Sequence, residues 1–372
     1  MINPQDFYEK LQKAGISFFT GVPDSLLKDF CAYVDDHGHK GEHIITANEG
    51  NAVAMVAGYH LTTGKLGVVY MQNSGLGNAV NPLISIADAK VYKIPLLMII
   101  GWRGEPGVKD EPQHVKQGAV TRQQLNLLDI PYWVLDADTD LHNTLEDALD
   151  KIKSSGSAVA LLVRKGTFSK YESKRQLISP YKMQRETALR ILLDLTSNSL
   201  VVTTTGKTSR EVFELRVERN ESHSDFLMVG GMGHTASIGL GAALGNSEKQ
   251  VVCIDGDGSI LMHLGALTII GNVAPKNLVH ILLNNEAHES VGKQPTVAGN
   301  IDFKSIALAS GYQGYQLADD PESIYTSWQA IQNQTKPVLF EIKITTGSRD
   351  DLGRPTSTPE ENKLAFMKAA GL

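Results

Sequence analysis

Val251-Val252-Cys253-Ile254-Asp255-Gly256-Asp257-Gly258-Ser259 is an apolar run that stops at a glycine-rich acidic turn. A helical pattern follows from Ile260 to Ile270. A second apolar run, Leu278-Val279-His280-Ile281-Leu282-Leu283, then ends at Asn284-Asn285. Short apolar runs separated by helical patterns predict parallel strands covered by helices on both faces. In such open sheets, ligands bind at the carboxyl ends of the strands. Adjacent strand ends would place Asp257 beside an asparagine. One carboxylate, one amide oxygen and one backbone carbonyl form an oxygen-only set, suited to Mg²⁺ completed by phosphate oxygens and water. Gly256 and Gly258 let the backbone approach a ligand closely, and the helix start that follows favours phosphate.

The same alternation runs outward in both directions. Phe7, Leu11 and Ala14 recur at helical spacing, with Gly15 as the stop. Ile16-Ser17-Phe18-Phe19 reads as a buried strand ending at Gly21-Val22-Pro23-Asp24-Ser25, where Asp24 or Ser25 would cap the next helix. Further strand-like runs cover 66–71, 95–100 and 158–163. After a polar, basic, weakly periodic stretch the pattern restarts with a helix at 184–196 and strands at 200–204 and 337–342. The fold class expected is α/β, with two doubly wound parallel-sheet domains. Their bounds are 1–168 and 184–372, joined by a linker over 169–183.

The 372 residues are enough for two domains, and 42% hydrophobic with 20% charged content fits a globular protein with real cores. A net charge of -6 argues against a nucleic-acid surface. The start, Met1-Ile2-Asn3-Pro4-Gln5-Asp6, has no basic and apolar signal pattern. No apolar stretch approaches the roughly 20 residues of a membrane span. Cys31 and Cys253 stand alone in apolar contexts, as buried thiols do in a reducing cytoplasm, the location expected.

Three other readings of the turns compete. Asp255-x-Asp257-x-Ser259 mimics the opening of a calcium loop, but the sixth and twelfth positions are Ile260 and Ala266, where glycine and glutamate are required. A lone Gly-Asp-Gly is also an ordinary strand–turn–helix corner; the asparagine pair at the next strand end favours the functional reading. Gly75-Leu76-Gly77 follows a strand, as a dinucleotide loop would. The acid expected at the next strand end is missing there, because that strand ends in Ile100-Gly101-Trp102.

Gly-Asp-Gly, the intervening helix and strand, and then Asn-Asn together resemble the thiamine-diphosphate motif of the pyruvate-decarboxylase-like enzymes. The resemblance implies that Asp257, Asn285 and the backbone of Ala287 hold Mg²⁺, which anchors the diphosphate. Gly256, Gly258 and Ser259 complete that turn. Thr46-Ala47-Asn48-Glu49-Gly50 matches the family's glutamate segment, which implies that Glu49 contacts the aminopyrimidine ring and promotes its imino form. Gly230-Gly231-Met232-Gly233-His234 matches the position of a bulky apolar residue wedged under the cofactor. That implies Met232 in this role, with the Gly230 backbone receiving the ring's amino group. Asn73, ahead of Gly75, joins the cofactor-binding candidates. The chemistry asks for such a cofactor, since the carbanion left by CO₂ loss needs an electron sink that no side chain supplies. Glu49 and Asp257 lie in different halves, so the resemblance implies a homo-oligomer, at least a dimer, with sites between subunits.

Within the family, a two-domain order without room for a third domain resembles the branch that decarboxylates 3-phosphonopyruvate, with the sulfopyruvate-cleaving branch beside it. The strings that carry this are 21–27, Asp110-Glu111-Pro112-Gln113-His114, 284–296 and 347–355. The activity implied is non-oxidative conversion of 3-phosphonopyruvate to phosphonoacetaldehyde and CO₂, in phosphonate biosynthesis of the 2-aminoethylphosphonate type. The paired histidines of pyruvate decarboxylases are not present. His114 and His288 are the candidates for general acid–base work, since imidazole titrates near neutrality. Asp24 and Ser25 stand at a strand end expected to face the cofactor, as candidates either for contact with the substrate or for a helix cap. A phosphonate needs cationic donors, for which Lys293, Arg349 and Arg354 are the candidates, with Lys116 and Arg103 also in suitable loops. The readings from other classes are an NAD-type oxidoreductase, resting on Gly75-x-Gly77, and a non-catalytic cofactor-binding subunit. The second is disfavoured because Glu49 and the metal motif share one chain.

Overall fold

The computed structural model describes residues 1–175 and 179–372. The chain falls into two compact units, Met1–Leu177 with Val291–Gln294, and Ile178–Ser290 with Pro295–Leu372. The first unit carries strands β1 (Phe18–Gly21), β2 (His43–Ile45), β3 (Gly67–Gln72), β4 (Leu97–Gly101), β5 (Tyr132–Leu135) and β6 (Val159–Val163). Its α-helices are α1 (Pro4–Lys13), α2 (Lys28–His37), α3 (Glu49–Thr63), α4 (Leu76–Pro82), α5 (Pro112–Leu127) and α6 (Leu141–Ser155). The sheet is parallel throughout, in the order β2-β1-β3-β4-β6-β5. Phe19, Val68, Tyr70, Leu97, Ile99 and Leu161 belong to one core, and Phe18, Val69, Met71, Met98, Ile100 and Leu162 to another. Successive residues of a strand point to opposite faces. Both faces are covered, so the strands read as unbroken apolar runs.

The second unit carries β7 (Leu200–Thr203), β8 (Phe226–Leu227), β9 (Val251–Gly256) and β10 (Leu278–Asn284). The short strands β11 (Ala287–His288) and β12 (Gln294–Pro295) follow β10, and β13 (Gly314–Ala318) and β14 (Val338–Lys343) complete the set. Its helices are α7 (Arg185–Leu195), α8 (Lys207–Glu218), α9 (Thr235–Gly245), α10 (Asp257–Met262), α11 (Ala266–Val273), α12 (Phe303–Ala309), α13 (Pro321–Gln332) and α14 (Pro359–Ala370). The main sheet is again parallel, β13-β14-β10-β9-β7-β8. Its principal core joins Val252, Ile254, Val279, Ile281, Val338 and Phe340 to α7, α8 and α13. The small-residue helix α9 packs close on β9: a Cβ on Gly239 would lie 3.0 Å from that of Cys253. Cys31 and Cys253 are both buried and free. Among the described residues, no helix is long and apolar enough to cross a membrane.

Sheet order places the loops that matter. In the first unit the chain moves from β1 to β2 on one side and returns to β3 on the other. In the second it does the same from β7 through β8 to β9. A crevice opens at the carboxyl ends of strands where the order reverses like this. Asp24 and Ser25 follow β1, Asn73 follows β3, and Asp257 follows β9.

Three local expectations change. The single helical pattern from Ile260 to Ile270 is broken into α10 and α11, with the break at His263-Leu264-Gly265. Neither Asp24 nor Ser25 caps a helix. The Asp24 carboxylate instead closes a tight turn by accepting from Leu26 N at 2.8 Å, and α2 starts later, at Lys28, with Leu27 in the N-cap position and no side-chain cap. Part of the expected linker is anchored: Tyr171 N donates to Asp29, and Lys174 N and the Tyr171 hydroxyl donate to Asp36, so these residues lie on α2. Residues 176–178 of that linker lie outside the described residues.

Candidate active site

In the second unit, Leu283 of β10 pairs with Gly256 of β9. The two strands therefore end side by side, with Asp257 following one and Asn285 the other. Asp257 is 4% exposed, and its Oδ2 accepts from the Thr296 hydroxyl at 2.5 Å. Burial pushes its carboxyl up to about 6, and the neighbouring charge acting on it, Glu286, is also negative. A buried carboxylate without a cation is costly. A divalent cation would remove that cost, and the donor set of carboxylate, amide oxygen and Ala287 carbonyl is the hard oxygen set Mg²⁺ prefers. The residues present fit a Mg²⁺-anchored diphosphate.

The two asparagines have different duties. Asn284 is fully buried and spent on structure: its amide donates to Glu341 at 2.8 Å, and its oxygen accepts from Glu286 N at 3.1 Å. Asn285 donates to Glu289 at 3.0 Å, and its oxygen accepts from Ala287 N at 3.1 Å, which curls the chain so that residues 285 and 287 stay together.

The loop at 230–233 turns on left-handed glycines, with φ of 75°, 62° and 89° at Gly230, Gly231 and Gly233, which a side chain would strain. Gly230 N donates to Thr205 and Gly233 N to Ser259, tying the loop to the carboxyl side of β7 and to the start of α10. A Cβ on Gly258 would meet Met232 Cε and His288 Nδ1, each at 3.2 Å. Met232, Gly258 and His288 thus form one cluster. Burial pushes His288 down to about 4, so its imidazole is neutral near pH 7.

In the first unit, Asn48 caps α3 by accepting from Gly50 N, and Glu49 stands in the first turn. Glu49 is 5% exposed and accepts from the Asn78 amide at 2.8 Å. A Cβ on Gly75 would collide with the Glu49 carboxylate. Gly75 is therefore glycine to admit Glu49, a duty inside the unit that accounts for half of the Gly75-x-Gly77 pattern.

A second cluster gathers at the ends of β1, β3 and β4. Asp24 is fully buried, with Oδ1 lacking a partner among the described residues and the carboxylate resting on Gly101 at the end of β4. Burial pushes its carboxyl up to about 6, against the attraction of Arg103. Arg103 donates to the Ser25 hydroxyl at 2.8 Å and grips Asp110 through two nitrogens, at 2.8 and 2.5 Å. Asp110 in turn meets His114 Nδ1 at 2.9 Å. Burial opposes the Asp110 charge, but Arg103, His114 and Gly104 N hold the group well below the usual carboxylate range. An ionised carboxylate only accepts, so the proton of neutral His114 sits on Nδ1 and Nε2 keeps its lone pair. His114 itself is pushed down by burial.

Asn73 braces this cluster. Both of its amide hydrogens are used, on Arg103 O and Thr121 Oγ1, and its oxygen accepts from Arg103 N. The basic candidates are dispersed. Arg349 is held by Glu186, Glu214 and Asp351, while Lys293 and Arg354 are exposed.

Comparison with known proteins bears on both units. The thiamine pyrophosphate enzyme N-terminal TPP binding domain matches residues 4–126, and the C-terminal TPP binding domain matches 204–342. A phosphonopyruvate decarboxylase of Streptomyces viridochromogenes is 35% identical over 98% of this chain and 94% of its own. That of Streptomyces hygroscopicus is 34% identical over 100% and 94%. A sulfopyruvate decarboxylase of Methanosarcina acetivorans is 29% identical over 99% and 98%.

The chain belongs to the thiamine pyrophosphate decarboxylase family. It is an enzyme with one thiamine-pyrophosphate-binding domain in each half, in the branch of the phosphonopyruvate decarboxylases. In this decarboxylase the residues that sequence reasoning left without a role are Asp110 and Glu289. The i,i+4 spacing of Asp110 and His114 at the start of a proline-led helix was the available signal for the first. Nothing local marked Glu289, whose partner Arg185 lies 104 residues away; Arg103 was a candidate by its loop, but its bond to Ser25, 78 residues away, was not foreseen.

Proposed function

We propose that the chain decarboxylates 3-phosphonopyruvate to phosphonoacetaldehyde and CO₂, using thiamine diphosphate and Mg²⁺, in phosphonate biosynthesis in the cytoplasm. The observation that carries the reading is the oxygen-only set at the paired ends of β9 and β10, in a chain whose other half buries a glutamate at a helix start. Near-full-length similarity to phosphonopyruvate decarboxylases supports the substrate.

Asp257, Asn285 and the Ala287 carbonyl would hold Mg²⁺, and the 230–233 loop with Met232 would support the cofactor. When bound, thiamine diphosphate supplies the electron sink for breaking the carbon–carbon bond. Glu49 would orient the aminopyrimidine ring, with Asn78 fixing the carboxylate. One proton must reach the carbonyl carbon after CO₂ departs. Asp24, whose carboxyl is raised by burial, and His114, whose Nε2 is left available by Asp110, would hold and move that proton. His288 would contribute a neutral imidazole beside Met232. Arg349 already carries three carboxylates, while Arg103, which holds Asp110 and the Ser25 hydroxyl after β4, joins Lys293 and Arg354 as a candidate receptor for the phosphonate. The sites would join Glu49 of one subunit to Asp257 of another, in at least a dimer.

The nearly full-length sulfopyruvate decarboxylase relative supports a second reading, with sulfonate in place of phosphonate. Release of CO₂ from phosphonopyruvate, sulfopyruvate and pyruvate, compared at equal enzyme, decides. Phosphonopyruvate is expected to give the highest kcat/KM; a higher value for sulfopyruvate would replace the first reading by the second.

A further inference from the structure

Glu289 makes a set of contacts that the proposed chemistry does not require. Its side chain is 5% exposed. Oε2 accepts from Arg185 Nη1 at 2.6 Å and from the Asn285 amide at 3.0 Å. Oε1 accepts from Lys207 Nζ at 2.8 Å and from Gly347 N at 3.0 Å. Arg185 is itself clamped by Glu211 through two bonds of 2.8 Å. Two cations and two carboxylates thus form a neutral network in the second unit, buried at Arg185, Glu211 and Glu289 and half-buried at Lys207, and one of its oxygens ends on Asn285.

We infer that Glu289 is the positioning residue that fixes which end of the Asn285 amide faces the metal. This rests on the reading of Asn285 as a Mg²⁺ ligand. An amide presents an oxygen from one end and two N–H donors from the other, and the wrong end would turn donors toward a cation. Each of the four contacts of the Glu289 oxygens is with a donor, so Glu289 presents acceptors alone, holds the NH₂ end and directs the oxygen away from itself. Partners of this kind orient metal ligands, and their loss costs about 10–100-fold in metal affinity.

The test is titration calorimetry of Mg²⁺ into the protein saturated with thiamine diphosphate, for the wild type and D257A, E289Q, N285D and E289Q/N285D. D257A checks the underlying metal site. If its affinity equals wild type, the metal reading fails, and this inference with it. If D257A abolishes binding, the other variants test Glu289 alone. E289Q should weaken Mg²⁺ binding ~10–100-fold. N285D adds negative charge at the metal, which by itself would tighten binding. With Glu289 only 3.0 Å from the replaced nitrogen, two carboxylates repel and binding should weaken instead. In the double variant the introduced amide donates to the introduced carboxylate, the pairing is restored in reverse, and affinity should return to within about tenfold of wild type. A merely structural role predicts no such rescue. N285D keeps the Arg185–Glu289–Lys207 cluster intact, so it tests the point even if E289Q does not fold. Tighter Mg²⁺ binding by N285D, or E289Q affinity equal to wild type, would overturn the inference.

Discussion

Asp24 gives the sharpest quantitative test in the first unit. Its carboxyl is raised from 3.8 to about 6, mainly by burial, and one oxygen has no partner among the described residues. An acid whose folded pKa lies above its unfolded value binds more protons when folded at any pH between the two. Stability therefore falls as pH rises through that window, and the deficit persists above it. Two pKa units correspond to about 3 kcal/mol at 1.36 kcal/mol per unit. D24N keeps an oxygen to accept from Leu26 N but never ionises. It does introduce a buried amide hydrogen pair where Oδ1 now sits, at a cost of roughly 1–3 kcal/mol that does not depend on pH. The difference in stability between D24N and wild type should thus move in favour of D24N by about 3 kcal/mol from pH 3.5 to pH 7.5. The assay is urea unfolding of both proteins without cofactor, at equal concentration, across that range. A difference flat with pH would refute the argument that burial holds Asp24 protonated. The same variant should lose turnover, because a group kept at this cost at a strand end is explained by its proton.

Other outcomes follow from the same geometry. E49Q should keep thiamine diphosphate and Mg²⁺ binding by calorimetry while kcat falls by roughly 10²–10⁴, the usual range for a lost acid–base group. G75A should place a methyl group against the Glu49 carboxylate and lower kcat at least ~10-fold with little change in KM for the 2-oxo acid, a split read in steady-state kinetics. Co-expressed E49Q and D257N chains should assemble some sites with both native residues and recover activity that neither variant has alone. Activity no higher than either parent would place Glu49 and Asp257 of each site on one chain.

The alternating layers were legible because parallel strands buried on both faces are written as short apolar runs, and an asparagine beside Asp257 was legible because neighbouring strands end together, though the choice of Asn285 came from the resemblance. Glu49 was found by resemblance; as a lone helix-start carboxylate it would have looked ordinary. The misleading signals were those decided by packing. Gly75 imitates a dinucleotide loop until the Glu49 carboxylate is seen against it. Arg349 looks like an anion receptor until Glu186, Glu214 and Asp351 are seen around it. Asp24 looks like a helix cap, yet its bond to Leu26 closes a turn ahead of the helix. Pairing across tens of residues leaves no trace in local spacing, which is why Glu289 carried no role at that level and the Arg103–Ser25 contact was not foreseen.

The central claim is decarboxylation of phosphonopyruvate at a Mg²⁺-anchored thiamine diphosphate. Phosphorus NMR of phosphonopyruvate incubated with the protein tests it most directly, with thiamine diphosphate and Mg²⁺ supplied together, singly and not at all after chelation. The account predicts conversion to phosphonoacetaldehyde with equimolar CO₂ only when both are present. An unchanged phosphonopyruvate signal in the complete mixture, or equal conversion by the chelated protein, would contradict it.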